Sequence, residues 1–208
     1  EKVSCREKEV LKGNGPKVAL LDLGAKKNIA RSLNERGCQV TIYPALTSAE
    51  EILGDNPDGI MLSNGPEAPA ENVFCIEQLK KMLGKVPMFG ICLGHQLMAL
   101  ANGGKTYKLK YGHRGVNQPV KEVGGQRTYI TSQNHGYAVV ADSLPTGRIS
   151  FINANDGTCE GIEYPDERAF TVQFHPEAVL TQYGHELLEN FHCICQLWQQ
   201  ERTEVCYA

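Results

Sequence analysis

A cysteine between two glycines is the residue of this 208-residue chain best suited to act as a nucleophile. Cys92 follows an apolar run that predicts a short buried strand, and the stretch Leu93–Ala101 after it predicts a helix. A sharp strand-to-helix turn lifts a side chain above the sheet edge, and Gly90 and Gly94 fit the flanking positions because a Cβ would clash there. The pattern predicts a nucleophile elbow, at a helix N-terminus that favours the thiolate.

A cysteine nucleophile needs a base, and the segment 170–177, Phe-Thr-Val-Gln-Phe-His-Pro-Glu, supplies one with a partner. The alternation of apolar and polar residues up to position 174 predicts a half-buried strand. Pro176 keeps the chain extended after it, so His175 and Glu177, two residues apart, point the same way. We therefore expect an imidazole and a carboxylate to face one site.

Strands alternate with helices over the first half of the chain, and this order must position the nucleophile. Strands are predicted at 17–22, 39–43, 59–62 and before Cys92, and helices at 28–36, from 47, at 71–83 and after Cys92. Such alternation predicts a parallel sheet covered on both faces, with the site at the carboxyl ends of its strands. From about residue 106 to 174, short strands between turns predict antiparallel pairing, and a helix at 186–198 closes the domain. The fold class is α/β: flavodoxin-like, mainly parallel, with helices on both faces and an antiparallel extension.

Six ordered motifs carry a resemblance to a known family. Gly-Ile-Cys-Leu-Gly-His-Gln at 90–96, followed much later by His-Pro-Glu at 175–177, resembles the class I glutamine amidotransferases. Further segments resemble the glutaminase domain of the carbamoyl-phosphate synthetase small subunit: 22–29, 56–66, 110–119 and 132–139. The match covers roughly residues 17–195. The resemblance implies the class I glutamine amidotransferase fold.

The resemblance also implies the chemistry of the site. Cys92 is expected to form a thioester with glutamine, His175 to act as base and acid, and Glu177 to fix the imidazole. The oxyanion donors would be the Leu93 N–H and the loop of Gly65 and Glu67. Glutamine itself would be held by a group of residues on the helix and the antiparallel part: Gln96, Asn134, Gly136 and Tyr137. His95, His113 and His135 are expected to make structural hydrogen bonds.

Glu67 is a departure from the family pattern. The family usually has Gly-Pro-Gly-Asp-Pro where this chain has Gly-Pro-Glu-Ala-Pro at 65–69. This difference supports an alternative function, a non-catalytic or weakly active partner subunit that stabilises the synthetase. A second alternative is the glutaminase of another amidotransferase, such as anthranilate synthase. The intact Cys92, His175 and Glu177 argue against the first, and the motif at 133–137 argues against the second.

Composition limits the remaining functions. The net charge of −3 gives no electrostatic reason to expect nucleic acid or an anionic membrane as a partner, and no apolar stretch approaches membrane-spanning length. The eight cysteines are scattered and are interpreted as reduced thiols of a cytoplasmic protein. Cys193 and Cys195 beside His192 lack a second ligand pair with zinc-site spacing, so no metal site is expected.

Partners and domain limits follow from the resemblance as well. The expected partner is the carbamoyl-phosphate synthetase large subunit, with glutamine as substrate. No cofactor is expected in this chain, and ATP and magnesium would bind to that partner subunit. We expect 1–16 to be a linker from a missing N-terminal domain, 17–199 the amidotransferase domain, and 200–208 a C-terminal tail.

Overall fold

The computed structural model describes residues 4–66 and 68–207, so Glu67 lies outside the described residues. Ten strands form one sheet. Their bounds, in chain order, are β1 Glu9–Leu11, β2 Lys17–Asp22, β3 Gln39–Pro44, β4 Gly59–Leu62, β5 Met88–Ile91, β6 Lys105–Glu122, β7 Thr128–Val140, β8 Arg148–Asn153, β9 Cys159–Tyr164 and β10 Ala169–Val172.

The sheet has a parallel half and an antiparallel half, as the sequence predicts. Its strand order is β1-β3-β2-β4-β5-β10-β9-β8-β6-β7. Strands β3, β2, β4, β5 and β10 pair in parallel. Strand β10 also pairs antiparallel with β9, and the antiparallel pairs then continue to β7. Strand β10 is therefore the junction between the halves.

Helices cover both faces of the parallel half. They are α1 Lys27–Glu35, α2 Ala49–Gly54, α3 Val73–Met82, α4 Leu93–Ala101 and α5 Gly184–Tyr207. One core cluster packs α2, α3 and α4 against the sheet, and a second packs α1 and α5 against the opposite face. This three-layer arrangement confirms the predicted α/β fold. None of the helices formed by the described residues combines the length and apolar character needed to cross a membrane.

The two ends of the chain differ from the sequence-based expectation. Strand β1 lies within the segment predicted as a linker and pairs antiparallel with β3. Helix α5 continues beyond Trp198 through most of the predicted tail, where Arg202 pairs with the buried Asp58. Both segments pack onto the domain, because each finds a partner that is distant in sequence. The domain limits themselves stay a prediction.

Strand β10 also differs from its predicted pattern. The sequence predicts a half-buried strand, but Thr171 and Gln173 are as buried as their apolar neighbours Val172 and Phe174. Ala169 belongs to one core cluster and Val172 to the other, so both faces of the strand are covered. Its polar side chains therefore bond inside the protein, as in the contact between Thr171 and His95.

Candidate functional site

The strand-to-helix turn at Cys92 has the geometry of a nucleophile elbow. Cys92 has φ 52° and ψ −102°, a strained backbone conformation for a non-glycine residue. A Cβ on Gly90 would lie 2.8 Å from the Gly94 backbone, and a Cβ on Gly94 would lie 2.6 Å from the Leu62 carbonyl oxygen. Glycine is therefore required at both flanking positions, and the turn projects Cys92 from the carboxyl end of β5.

His175 and Glu177 lie beside this turn. Strand β10 runs parallel to β5 with Val172 opposite Ile91, and the Cys92 N–H donates to the Val172 carbonyl over 2.9 Å. The histidine follows three residues later, at the same edge of the sheet. Its Nδ1 lies 2.9 Å from Glu177 Oε1, and both side chains are buried.

Burial raises the pKa of the Cys92 thiol to about 12. The hydrogen bond from the Leu93 N–H and the charge of Lys26 lower this pKa, whereas the charge of Glu177 raises it. The sequence predicts that the helix N-terminus favours the thiolate. The Leu93 N–H at that terminus does lower the pKa, as predicted, but burial raises it by more.

Lys26 is a member of the site that sequence reasoning did not single out. Its Nζ lies 4.0 Å from Glu177 Oε1, at a half-exposed position above a buried carboxylate. Lys26 follows β2, and Glu177 follows β10, so the two meet only because both strands end at the same edge. Two signals were available: its place just after a predicted parallel strand, and its position in the segment 22–29 that resembles the family.

The loop after β4 lies against the residue that follows Cys92. The Gly94 N–H donates to the Ser63 carbonyl over 3.2 Å. A Cβ on Gly65 would lie 2.6 Å from the Leu93 side chain and 2.3 Å from the Leu23 carbonyl oxygen. Gly65 is thus next to the Leu93 side chain, on the loop from which a second oxyanion donor is expected, while the predicted contribution of Glu67 falls outside the described residues.

The predicted glutamine-binding residues lie on α4 and β7. Asn134 is exposed, and Gly136 and Tyr137 are partly exposed, on the strand whose Ser132 carbonyl accepts from the His175 N–H over 3.0 Å. Gln96, by contrast, is buried. Its Nε2 donates to the Tyr137 carbonyl over 2.8 Å and to Gln173 Oε1 over 2.9 Å.

The contact of the Gln96 amide with substrate stays a prediction, although its nitrogen already has two partners inside the protein. In this structure that nitrogen is used to hold β7 against α4 and β10. An amide with two internal acceptors would have to release one of them to bind a ligand. Gln96 consequently supports the position of Tyr137.

Three other histidines make internal hydrogen bonds, as expected. His95 is fully buried and bonds to Thr171 Oγ1 over 2.7 Å. His135 bonds to the Tyr137 carbonyl over 2.7 Å. His113 lies 2.8 Å from an Asp156 oxygen and 3.3 Å from the buried Glu160. These carboxylates raise the pKa of His113 to about 9.

Comparison with known proteins agrees with this geometry. The profile of the family "Glutamine amidotransferase class-I" matches residues 19–195. The chain belongs to the class-I glutamine amidotransferase family. The match includes the elbow, the His175–Glu177 pair and the antiparallel strands between them.

Among curated relatives, similar proteins are named carbamoyl phosphate synthase small chain. The one from Bacillus anthracis is 48% identical over 209 residues, covering 99% of this chain and 57% of the relative. The one from Symbiobacterium thermophilum is 53% identical over 169 residues, covering 80% and 47%. The chain therefore spans about half the length of the curated relatives it matches.

Solved structures share the fold. A Thermoplasma acidophilum protein, described as one subunit of a GMP synthase, superposes with a TM-score of 0.81 at 25% identity, covering 92% of this chain and 100% of that one. A glutamine amidotransferase from Thermotoga maritima gives 0.60 at 15% identity, with 90% and 98% covered. The likeness extends over nearly the whole of each chain.

Proposed function

We propose that this chain is the glutaminase portion of a glutamine-dependent carbamoyl-phosphate synthetase. It hydrolyses glutamine to glutamate and ammonia, and the ammonia serves a synthetase subunit that forms carbamoyl phosphate. The observation that carries the proposal is the buried hydrogen bond between His175 and Glu177 beside the Cys92 elbow. The names of the similar relatives support the choice of synthetase.

Burial raises the pKa of the Cys92 thiol, so the proposed reaction begins with loss of the thiol proton. The sulfur attacks the side-chain amide carbon of glutamine while its proton passes to His175. Glu177 stabilises the resulting imidazolium and holds the ring in one orientation. The C–N bond then breaks, the same proton goes to the leaving nitrogen, and ammonia departs from a glutamyl thioester.

Water completes the cycle. His175 takes a proton from a water molecule, which attacks the thioester carbonyl. The C–S bond breaks, the proton returns to the sulfur, and glutamate is released. The Leu93 N–H, which contacts the Cys92 sulfur in the free site, would donate to the oxyanion in both steps. The loop at Gly65 and Glu67 would supply the second donor, and each donor is worth about 3 to 4 kcal/mol.

Glutamine binds, in this proposal, between the elbow and the exposed edge of β7. Asn134 and Gly136 offer backbone groups to its α-amino and carboxylate groups, and Tyr137 packs nearby. An added Cβ on Gly136 would meet only Arg114 Nη2, at 3.7 Å, among the described residues. The protein itself leaves this side of Gly136 open, which suits close approach by a ligand.

The partner is proposed to be the carbamoyl-phosphate synthetase large subunit, in the cytoplasm. That subunit would bind ATP and magnesium, and the present chain would need no cofactor of its own. Neither nucleic acid nor a membrane has a role in the proposal. Because the chain spans about half of its relatives, the rest of such a relative is expected to contribute to docking.

The deciding experiment is Cys92→Ser in the full chain, combined with the large chain of a similar synthase. We expect glutamine-dependent carbamoyl phosphate formation to fall by a factor on the order of 10⁶, as for nucleophiles of similar triads. Synthesis from added ammonia should continue. Cys38→Ser is the matched control. Cys38 is also buried, but it directly precedes β3 and so lies at the amino ends of the parallel strands, opposite to the site. Unchanged glutamine turnover in Cys92→Ser would contradict the proposal.

A further inference from the structure

Asp22 connects two segments at the sheet edge that carries the candidate site. It is the last residue of β2, and it is buried. Its Oδ1 accepts the N–H groups of Gly24 over 2.9 Å and of Ala25 over 2.6 Å. Its Oδ2 accepts the N–H of Cys5 over 2.6 Å. One carboxylate therefore fixes the loop of residues 23–26, called the site loop, and the segment of residues 4–5, called the strap.

The site loop ends at Lys26, opposite Glu177. The Lys26 N–H donates to Asn64 Oδ1 over 3.2 Å, and the Asn64 amide donates back to the Gly24 carbonyl over 3.4 Å. Gly24 has φ +116°, a conformation that side chains disfavour, so the loop path depends on this glycine and on its hydrogen bonds. The path places Lys26 Nζ 4.0 Å from Glu177 Oε1.

The strap crosses the ends of two parallel strands. Ser4 Oγ accepts the Ala45 N–H over 3.1 Å, just beyond β3, and Cys5 donates to Asp22 at the end of β2. The Asp22 carboxylate thus receives N–H groups from both sides. A carboxylate has no hydrogen to donate and can accept from all three donors, which suits it to this position.

We propose that Asp22 is a positioning residue that holds Lys26 opposite Glu177. It does so fully only while the strap is hydrogen-bonded to its second carboxylate oxygen, Oδ2. The inference rests on the proposed function for its kinetic part. Replacing Asp22 by Asn leaves one oxygen for these N–H groups and turns an NH₂ group either toward Cys5, which releases the strap, or toward Gly24 and Ala25, which releases the site loop. In either orientation the hold on Lys26 is weakened. Lys26 would then lose its fixed place beside Glu177 and Cys92.

The test measures the reactivity of Cys92 without glutamine. The full chain is alkylated with iodoacetamide between pH 7 and 10, and modification of the peptide containing Cys92 is followed by mass spectrometry. We expect Asp22→Asn to slow alkylation at pH 8 about threefold, because a displaced Lys26 no longer favours the thiolate. In the Lys26→Gln background, the same change should have no further effect.

Non-additivity separates positioning from general destabilisation. If Asp22→Asn slows the reaction by the same factor with and without Lys26, Asp22 does not act through Lys26 and the proposal is overturned. Glutamine turnover with the partner subunit gives the second readout, where we expect kcat to fall about tenfold with a smaller change in KM. If wild type alkylates as expected but does not use glutamine, the proposed function fails while the positioning role stands.

The strap is tested by removing one N–H group. Cys5→Pro eliminates both the backbone N–H donor and the thiol contact with Asp22, whereas Cys5→Ala removes only the thiol contact. We expect the proline variant to slow Cys92 alkylation, by less than Asp22→Asn, and the alanine variant to slow it less than the proline variant. Equal rates for the two Cys5 variants would refute the coupling to the strap. This comparison also decides the matter if Asp22→Asn does not fold.

Discussion

Two side chains of opposite charge act on the Cys92 thiol. Lys26 lowers its pKa and Glu177 raises it, while burial sets the high starting value. The two are themselves an ion pair, 4.0 Å apart, so each also moderates the other. The pKa of the sulfur, and with it its reactivity, is therefore set by burial and by the balance of neighbouring charges.

This balance predicts opposite effects of two neutral substitutions. Lys26→Gln should raise the Cys92 pKa further and slow alkylation at pH 8, because the thiolate fraction falls as the pKa rises. Glu177→Gln should lower the pKa and speed alkylation, although glutamine turnover is expected to drop. Each substitution is expected to change the rate of Cys92 alkylation at pH 8 by about three- to tenfold. The measurement is the pH profile of Cys92 modification, and slower modification in both variants would contradict this electrostatic account.

At this scale the sequence indicates the residues that follow a local pattern. Cys92 stands out by its flanking glycines, and His175 and Glu177 by their spacing around a proline. Lys26 and Asp22 do not stand out by local spacing. Their partners lie on other segments of the chain, and the spacing within one segment carries no information about such partners. The helical position of Gln96 is visible in the sequence and suggests a substrate contact, whereas its buried acceptors on β7 and β10 are not visible there.

Among the elements, β7 is the one proposed to contact glutamine. Its backbone is held in place by Gln96 and His135, both of which bond to the Tyr137 carbonyl. Gly136 lies within this supported stretch, its φ is outside the left-handed range, and the surrounding protein leaves it room. A methyl group at this position should therefore weaken glutamine binding and leave the stability of the fold almost unchanged.

The expected result for Gly136→Ala is a KM for glutamine about tenfold higher, with a smaller change in kcat and an unchanged Tm. Gly54→Ala is a matched control, because an added Cβ on Gly54 also has room, with nothing within 4 Å, and Gly54 lies at the end of α2. Steady-state kinetics and thermal unfolding are compared for both variants. A lower Tm in Gly136→Ala would show that the fold, not the ligand, requires glycine.

Elements with strong internal patterns were predictable, and those that depend on a distant partner were not. Strands β2 and β4 have the predicted bounds, because each is an apolar run with clear ends. Strand β1 has three residues in polar surroundings and exists through its pairing with β3. The alternating polar residues of β10 give the sequence pattern of a half-exposed strand although they are buried. The pattern does not show whether a polar side chain bonds to water or to a partner inside the protein.

Helix α5 is the last element of the domain. Its C-terminal part packs at the amino ends of the parallel strands, opposite to the site. Arg202 pairs with Asp58, a buried carboxylate that also accepts the Lys17 N–H over 2.8 Å. Lys17 begins β2, and Asp58 immediately precedes β4. The final helix is therefore attached to two central strands at their amino ends.

Removing this contact should destabilise the entire domain. Arg202→Leu leaves Asp58 buried with one fewer partner, and we expect the free energy of unfolding to fall by about 1 to 3 kcal/mol. Glu201→Gln, which loses only the exposed pair with Arg168, should change it by less than about 0.5 kcal/mol. A chain ending at residue 199, the predicted domain limit, should be at least as unstable as Arg202→Leu. Urea unfolding of the three variants checks this, and equal stability of all three would contradict it.

The position of β10 between β5 and β9 has a consequence for the order of folding. Strands β6–β9 lie between β5 and β10 along the chain, so the pairing of Ala169–Val172 with Met88–Ile91 closes a long loop. Pairing between segments so distant in sequence is slow, because a long loop must close before any contact forms. Helical signal should thus recover early during refolding, and Cys92 should become shielded from alkylation late. Cys92 and His175 become neighbours only when β10 pairs with β5, so we expect the proposed site to form in a late step of folding.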